Sequence, residues 1–232
     1  MGLSGPRAAL LVLAKAPVPG EVKTRLCPPA TPAQAARIAA AAFLDTLDAV
    51  LAVPDVTAVV ALAGHLVHAV DAAALTEQLR AITVLPQRGT TLGQRIAAAY
   101  ADTAAVVGHR PVLQIGMDTP QVDAKLLSHC LDLLDGDGVD AALGSATDGG
   151  WWILGVRRPE LADLIADIPT SRPDTGARTI AALRVSGARV VELPELSDVD
   201  TWEDAAAVAA DVPDGRFAAA VAAALTALDG RR

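Results

Sequence analysis

The sequence predicts an α/β domain built on a mainly parallel sheet, and three observations carry that expectation. Short apolar runs alternate with longer amphipathic stretches along the 232 residues. The runs are apolar at consecutive positions, as in strands covered on both faces. The stretches between them are long enough for the crossover helices that parallel neighbours require.

Length suits a single domain, and no break in composition divides the chain. Hydrophobic residues make up 52% but aromatic ones only 3%, so Ala, Val and Leu must build the core. The net charge of -8 disfavours nucleic acid as a partner, which needs a basic face. An anionic ligand must therefore be held by locally concentrated Lys and Arg. Cys27 and Cys130 are too few for a disulfide framework and lack metal spacing, which points to reduced thiols and a cytoplasmic location. The apolar run Ala8–Ala14 is too short to span a bilayer and lacks a cleavage pattern, so it reads as a strand and not a signal peptide.

In order, strands are expected at Ala8–Ala14, Thr57–Ala63, Ile82–Leu85, Val112–Ile115, Val139–Leu143, Trp151–Val156 and Arg189–Leu193. Thr31 caps a helix with Pro32 at its first position, and Ile38, Ala42, Thr46, Leu47 and Val50 form its stripe. Further helices are expected over Leu92–Val106, Asp123–Leu134, Gly176–Val185 and Thr201–Ala210. Residues 213–232 form a helix-prone, Ala-rich tail that either packs on the domain or joins a second subunit of a homo-oligomer.

In such sheets ligands bind beyond the carboxyl ends of strands, so each motif is weighed by the strand it follows. Lys15 to Leu26 follows the first strand. It lacks the spacing of a P-loop or a dinucleotide fingerprint, which also argues against a dehydrogenase. It does place Lys15, Lys23 and Arg25 around a flexible Gly20, and phosphate oxygens call for such donors. Lys23 and Arg25 share one side if that stretch is extended. A solvated loop balancing an acidic surface is the plainer reading of the cations alone, and their place after the first strand raises the functional reading above it.

Asp118 follows the fourth strand, where it either ligates a hard cation or caps the next helix. Asp198 and Asp200 follow the last strand, with the same two readings. Asp148-Gly149-Gly150-Trp151-Trp152 combines a carboxylate, two permissive glycines and two of the chain's three tryptophans. Asp148 reads as a ligand for acceptor hydroxyls or metal, and at least one Trp as core. Gln87 to Arg95 follows the third strand, either bracketing a flat base or serving as an ordinary loop. His65, His68, His109 and His129 assemble with no acid pattern.

Together the segments KAPVPGEVKTRL, QRGTTLGQR, GMDTP, TDGGWWILG and DVDTWED resemble the DUF2064 family, over about residues 8–204. These are GT-A-like transferases, also called rSAM/selenodomain-associated transferase 1. The phosphate loop is also similar to that of phospholactate guanylyltransferases, and the Leu85–Gly93 and DVDT segments to molybdenum-cofactor guanylyltransferases. The resemblance implies a three-layer α/β/α GT-A sandwich whose mixed sheet has one late antiparallel strand, Trp151–Val156. It implies Mg²⁺ (or Mn²⁺) on Asp118 and Asp200, with Asp198 a further candidate. Lys15, Gly20, Lys23 and Arg25 would hold phosphates, and Gln87 and Gly93 would flank the base. Asp148, Gly149, Gly150 and Trp151 would form the acceptor side, with Asp118, Lys23, Arg25 and Asp148 as the catalytic group. Partners would be a nucleotide or nucleotide-sugar and a small-molecule acceptor. The chain departs from the family pattern at Trp151-Trp152, and at Thr170, where a Trp is usual.

Nucleotidyl transfer to a small phosphorylated acceptor is the leading expectation, since a dense cationic loop suits a triphosphate. Glycosyl transfer from an NDP-sugar is the alternative, and a non-catalytic nucleotide-binding protein the remote one.

Overall fold

A computed structural model describes residues 5–229. The elements in order are β1 (Ala8–Lys15), α1 (Pro32–Leu51), β2 (Val56–Ala63), α2 (Ala72–Leu79), β3 (Thr83–Pro86), α3 (Leu92–Val107), β4 (Val112–Gly116) and α4 (Ala124–Leu134). They continue with β5 (Ala141–Ala146), β6 (Trp151–Val156), α5 (Thr175–Val185), β7 (Val190–Leu196), α6 (Trp202–Asp211) and α7 (Arg216–Asp229). Short 3₁₀ turns cover Thr24–Leu26 and Leu66–His68, and a longer one Pro159–Asp167.

The helix entry read at Thr31-Pro32 forms as expected. Thr31 accepts from Gln34 N while Gln34 Oε1 takes the Thr31 N–H at 2.8 Å, a reciprocal cap that Pro32 reinforces. Thr91 with Gln94 and Thr201 with Asp204 repeat the device on α3 and α6. Helix α2 and the 3₁₀ segment Pro159–Asp167 lie outside the expected set. Asp71, the residue before α2, makes no side-chain cap, so nothing local announces that helix.

The seven strands form one sheet in the order β3-β2-β1-β4-β6-β5-β7. Strand β6 runs antiparallel to β4 and β5, and the remaining pairings are parallel, as the resemblance implied. Two strands sit later than expected. The fifth is Ala141–Ala146, not Val139–Leu143, because Val139 closes a turn onto Gly136 O at 3.1 Å. The last runs on to Leu196 through Pro194, tolerated because β7 is an edge strand.

One face of the sheet packs Leu10, Val12 and Ile115 against Phe43 and Leu47 of α1, Leu75 of α2 and Leu131 of α4. The other packs Leu11, Val59 and Leu154 against Ile96 and Tyr100 of α3, Ile165 and Leu183. A third cluster joins Leu26 and Ile38 to Val208, Phe217 and Val221. Helix α7 thus packs on α1, and Asp45 accepts from Arg216 Nη1 at 3.0 Å and Phe217 N at 2.9 Å. Among the described residues no helix is long and apolar enough to cross a membrane.

Candidate active site at the carboxyl ends of the strands

Strands β2 and β3 lie to one side of β1, and β4 leads the rest to the other. Loops therefore diverge after β1 and β4 and leave a crevice between them. A cavity of about 840 Å³ fills it, lined by residues of the β1 loop, the ends of β4 and β6, and the segment after β7.

The β1 loop does not extend as expected. Lys23 adopts a left-handed conformation (φ 47°, ψ 39°) and a 3₁₀ turn follows it. Strand alternation therefore does not align Lys23 with Arg25; this bend does. Lys23 Nζ lies 2.5 Å from Asp118 Oδ2 and 3.6 Å from Asp200 Oδ1, and donates to the Val199 carbonyl. Arg25 Nη1 reaches Asp200 Oδ2 at 2.9 Å. Lys15 Nζ instead turns back to Glu21 O at 2.7 Å, while its backbone N–H points to Met117 Sδ at 3.1 Å. Gly20 takes φ 82° at the tip of the loop.

Both capping alternatives for the acidic loops drop out. Helix α4 starts only at Ala124, where Asp123 accepts from Leu126 N at 2.7 Å, which leaves Asp118 pointing at Lys23. Helix α6 is capped by Thr201, which leaves Asp200 for Arg25. Asp148 accepts from Gly150 N at 2.7 Å and lines the cavity with Gly150. Gly149 serves packing: at φ 87° a Cβ there would lie 2.0 Å from Pro173 O.

Four carboxylates converge on this mouth, and the electrostatics record it. Burial, then the charges of Asp148, Asp118 and Asp200, push the Asp198 carboxyl up from 3.8 to about 6. Burial works against the charge on Lys23, yet Asp118, followed by Asp200 and Asp198, raises its pKa above the ordinary lysine value. The ammonium is thus an internal counter-ion to an acidic cluster.

Two base-side expectations change. Gln87 Nε2 is spent on Ala14 O (2.8 Å) and Ala61 O (2.9 Å), where it ties β1 to β2, and its cavity-facing part is what remains. Gly93 faces the 3₁₀ segment instead of the cavity, because a Cβ there would lie 2.4 Å from Ile165 O. Its glycine is a helix-packing requirement.

Trp152 is core, 3% exposed, with Nε1 donating to Pro194 O at 2.9 Å. Trp151 is half-buried on the cavity wall. His109 does have an acid, Glu160 at 2.9 Å, but both are exposed at the surface away from the cavity lining.

Sequence reading missed Gln114, Ser171 and Arg172, which line the cavity, while Arg95 and Thr170, within segments it had singled out, line it too. Gln114 had a signal: it is an amide inside a run otherwise apolar from Val112 to Ile115. Arg172 had none, since its loop reads as an ordinary polar connection.

The sheet order, the single reversed strand and the crevice define a GT-A-like, nucleotide-diphospho-sugar-transferase type of fold. The chain belongs to the DUF2064 family, described as an uncharacterized protein conserved in bacteria, which residues 46–172 match. The structure is similar to one from Desulfovibrio desulfuricans G20 provisionally assigned as a nucleotide-diphospho-sugar transferase. That likeness has a TM-score of 0.81 at 24% identity and covers 97% of this chain and 98% of that one. A cytidylyltransferase from Leptospira borgpetersenii aligns with a TM-score of 0.53 at 15% identity, over 87% of this chain and 84% of its own. No curated protein matches the sequence.

Proposed function

We propose that the protein is a divalent-metal-dependent transferase with a nucleotide-activated donor, favouring nucleotidyl transfer from an NTP to a small phosphorylated acceptor. The observation that carries it is the Lys23 bridge between Asp118 and Asp200 at the carboxyl ends of β4 and β7, with Arg25 on the outer carboxylate. The fold is shared with proteins assigned to both nucleotidyl and nucleotide-sugar chemistry, which supports a nucleotide in this crevice.

The donor set fits Mg²⁺ or Mn²⁺. Hard cations take carboxylate oxygens, commonly one or two, and leave other positions to substrate phosphates. Asp118 and Asp200 would hold the ion, with Asp198 beside them. Among the described residues no group of three or more His, Cys, Asp or Glu side chains is placed to hold a metal ion by itself. When bound, such an ion neutralises charge on the phosphates as the leaving group departs.

The protein's own groups do the rest. Lys15, Lys23 and Arg25 orient the phosphates, and their fixed charges stabilise negative charge as it builds. Gln87 borders the base side. Asp148, Gly150 and Trp151 position the acceptor, with Asp148 binding its hydroxyls. An acceptor oxygen attacks the α-phosphorus, the bond to pyrophosphate breaks, and pyrophosphate leaves with the electron pair.

Glycosyl transfer from an NDP-sugar is the second reading, which the likeness to the Desulfovibrio structure keeps in view. Pyrophosphate release from each NTP with Mg²⁺ and a range of phosphorylated acceptors tests the choice. Product from NDP-sugars alone, with none from any NTP, overturns the nucleotidyl reading. Nucleotide binding without turnover, unaffected by Asp118→Ala, would indicate a non-catalytic protein.

A further inference from the structure

Arg172 lines the cavity on a loop whose shape is fixed from several sides. Ser171, just before it, takes a left-handed conformation at φ 57°, which a serine keeps only where its surroundings hold it. Thr175 supplies one hold: its Oγ1 donates to Pro169 O at 3.0 Å and accepts from Arg172 N at 3.2 Å. The Asp148–Gly150 turn supplies another. Gly176 N donates to Gly149 O at 2.9 Å, and a Cβ at Gly149 would lie 2.0 Å from Pro173 O. Arg172 is therefore carried on a loop docked against the turn that contributes Asp148 and Gly150 to the same cavity.

The other cations of the cavity are engaged. Lys23 joins Asp118 and Asp200, Arg25 reaches Asp200, Lys15 Nζ turns to Glu21 O, and Arg95 Nε donates to Gly89 O at 3.2 Å. Among the described residues the Arg172 guanidinium makes no hydrogen bond, and its one ion pair is long, with Nε 3.9 Å from Asp174 Oδ1. Arg178 holds that carboxylate more closely, at 2.6 Å. Nor does Arg172 pair with Asp118, Asp148, Asp198 or Asp200, so it is not the counter-ion of the acidic cluster. A guanidinium offers five donors in a planar fork that matches the paired oxygens of a phosphate or a carboxylate. On a loop already fixed in place, it binds such a group with little further ordering.

We propose that Arg172 is a specificity-determining residue whose guanidinium binds an oxyanion of the acceptor, a phosphate or a carboxylate. The inference rests on the transferase reading above, which puts the acceptor beside Asp148 and Trp151. The crevice then holds two anion subsites, the β1 loop for the phosphates of the donor and Arg172 for the charge of the acceptor. A neutral acceptor of the same size is bound poorly, because it leaves the fork unmatched.

The test is binding, measured calorimetrically with Mg²⁺ and an unreactive NTP analogue present. Probes are glycerol phosphate, glycerate and glycerol, titrated into wild type, Arg172→Ala and Arg172→Lys. At least one of the two anions should bind wild type at least about 10-fold more tightly than glycerol, and Arg172→Ala should remove that advantage. Whichever anion loses more names the group the subsite takes. Arg172→Lys should recover only part of the loss, because an ammonium lacks the fork. NTP-analogue affinity and melting temperature should be unchanged in both variants. Binding of neither anion, or anion binding that Arg172→Ala leaves intact, overturns the proposal. So does weakened binding of the NTP analogue, which would put Arg172 on the phosphates of the donor. Arg172-dependent anion binding in a protein that releases no pyrophosphate from any NTP would sink the reaction assigned above and leave this inference standing.

Discussion

Lys23 Nζ lies 2.5 Å from Asp118 Oδ2 and 3.6 Å from Asp200 Oδ1, so one ammonium joins the loop after β1 to the segments after β4 and β7. Its side chain is only 11% exposed, while Asp118 and Asp200 are 33% and 39% exposed. The lysine therefore depends more on the acids than they do on it.

Replacing Asp118 with Ala removes the nearer partner of a buried cation. Stability should fall by about 1–3 kcal/mol, less than for a fully buried pair because the carboxylate is part-solvated. Urea unfolding measures it. Lys23→Met combined with Asp118→Leu should recover part of the loss, since the buried ammonium is gone with its nearer partner and Asp200 keeps Arg25. Turnover should fall at least about 10³-fold in either protein.

Arg25 separates stability from function. Its guanidinium is 70% exposed, so Arg25→Ala should change stability by less than about 1 kcal/mol. Nucleotide affinity should fall, and Arg25→Lys should not restore it, because a lysine loses the planar fork. Calorimetric titration of nucleotide checks both.

Metal should couple to nucleotide and not to the empty protein alone. With two carboxylates already paired to Lys23 and Arg25, Mg²⁺ by itself should bind weakly. Nucleotide with Mg²⁺ should bind at least about 10-fold more tightly than nucleotide with EDTA. Equal affinities under the two conditions would remove the metal from the proposed function.

Gly93→Ala tests packing against base recognition. A Cβ there would lie 2.4 Å from Ile165 O, so the melting temperature should fall, by about 1–3 kcal/mol of stability. Nucleotide affinity of the folded fraction should be unchanged. A stable variant that has lost nucleotide binding would return Gly93 to the base site.

The two thiols should differ with pH. Burial pushes Cys130 up from 9.0 to about 12, and only the thiolate reacts. At pH 8.5 it therefore stays protonated. Native protein should therefore lose one thiol to iodoacetamide, Cys27, and lose the second only after unfolding or as pH climbs toward 12. Rapid loss of both at pH 8.5 would contradict the burial of Cys130.

The strand and helix pattern was legible because it is local. Consecutive apolar residues mark buried strands, and Thr31 with Pro32 announces the start of α1, whereas the caps of α4 and α6 fall on Asp123 and Thr201 and not on the expected Asp118 and Asp200. Where the signal was weak the reading failed, as at α2, where Asp71 makes no cap. The reversed direction of β6 came from family resemblance, since a strand's direction is not written in its own residues.

Sequence alone determined the residue types: three cations on one loop, four acids on three others, and an amide in an apolar strand. Tertiary structure decided what they face. The left-handed turn at Lys23 brings its ammonium to Asp118, 95 residues away, and the packing of α3 on the 3₁₀ segment takes Gly93 out of the cavity. The reason is physical. Propensity and capping act over one helical turn, whereas the partner of a charge or a buried amide is set by which strands lie side by side.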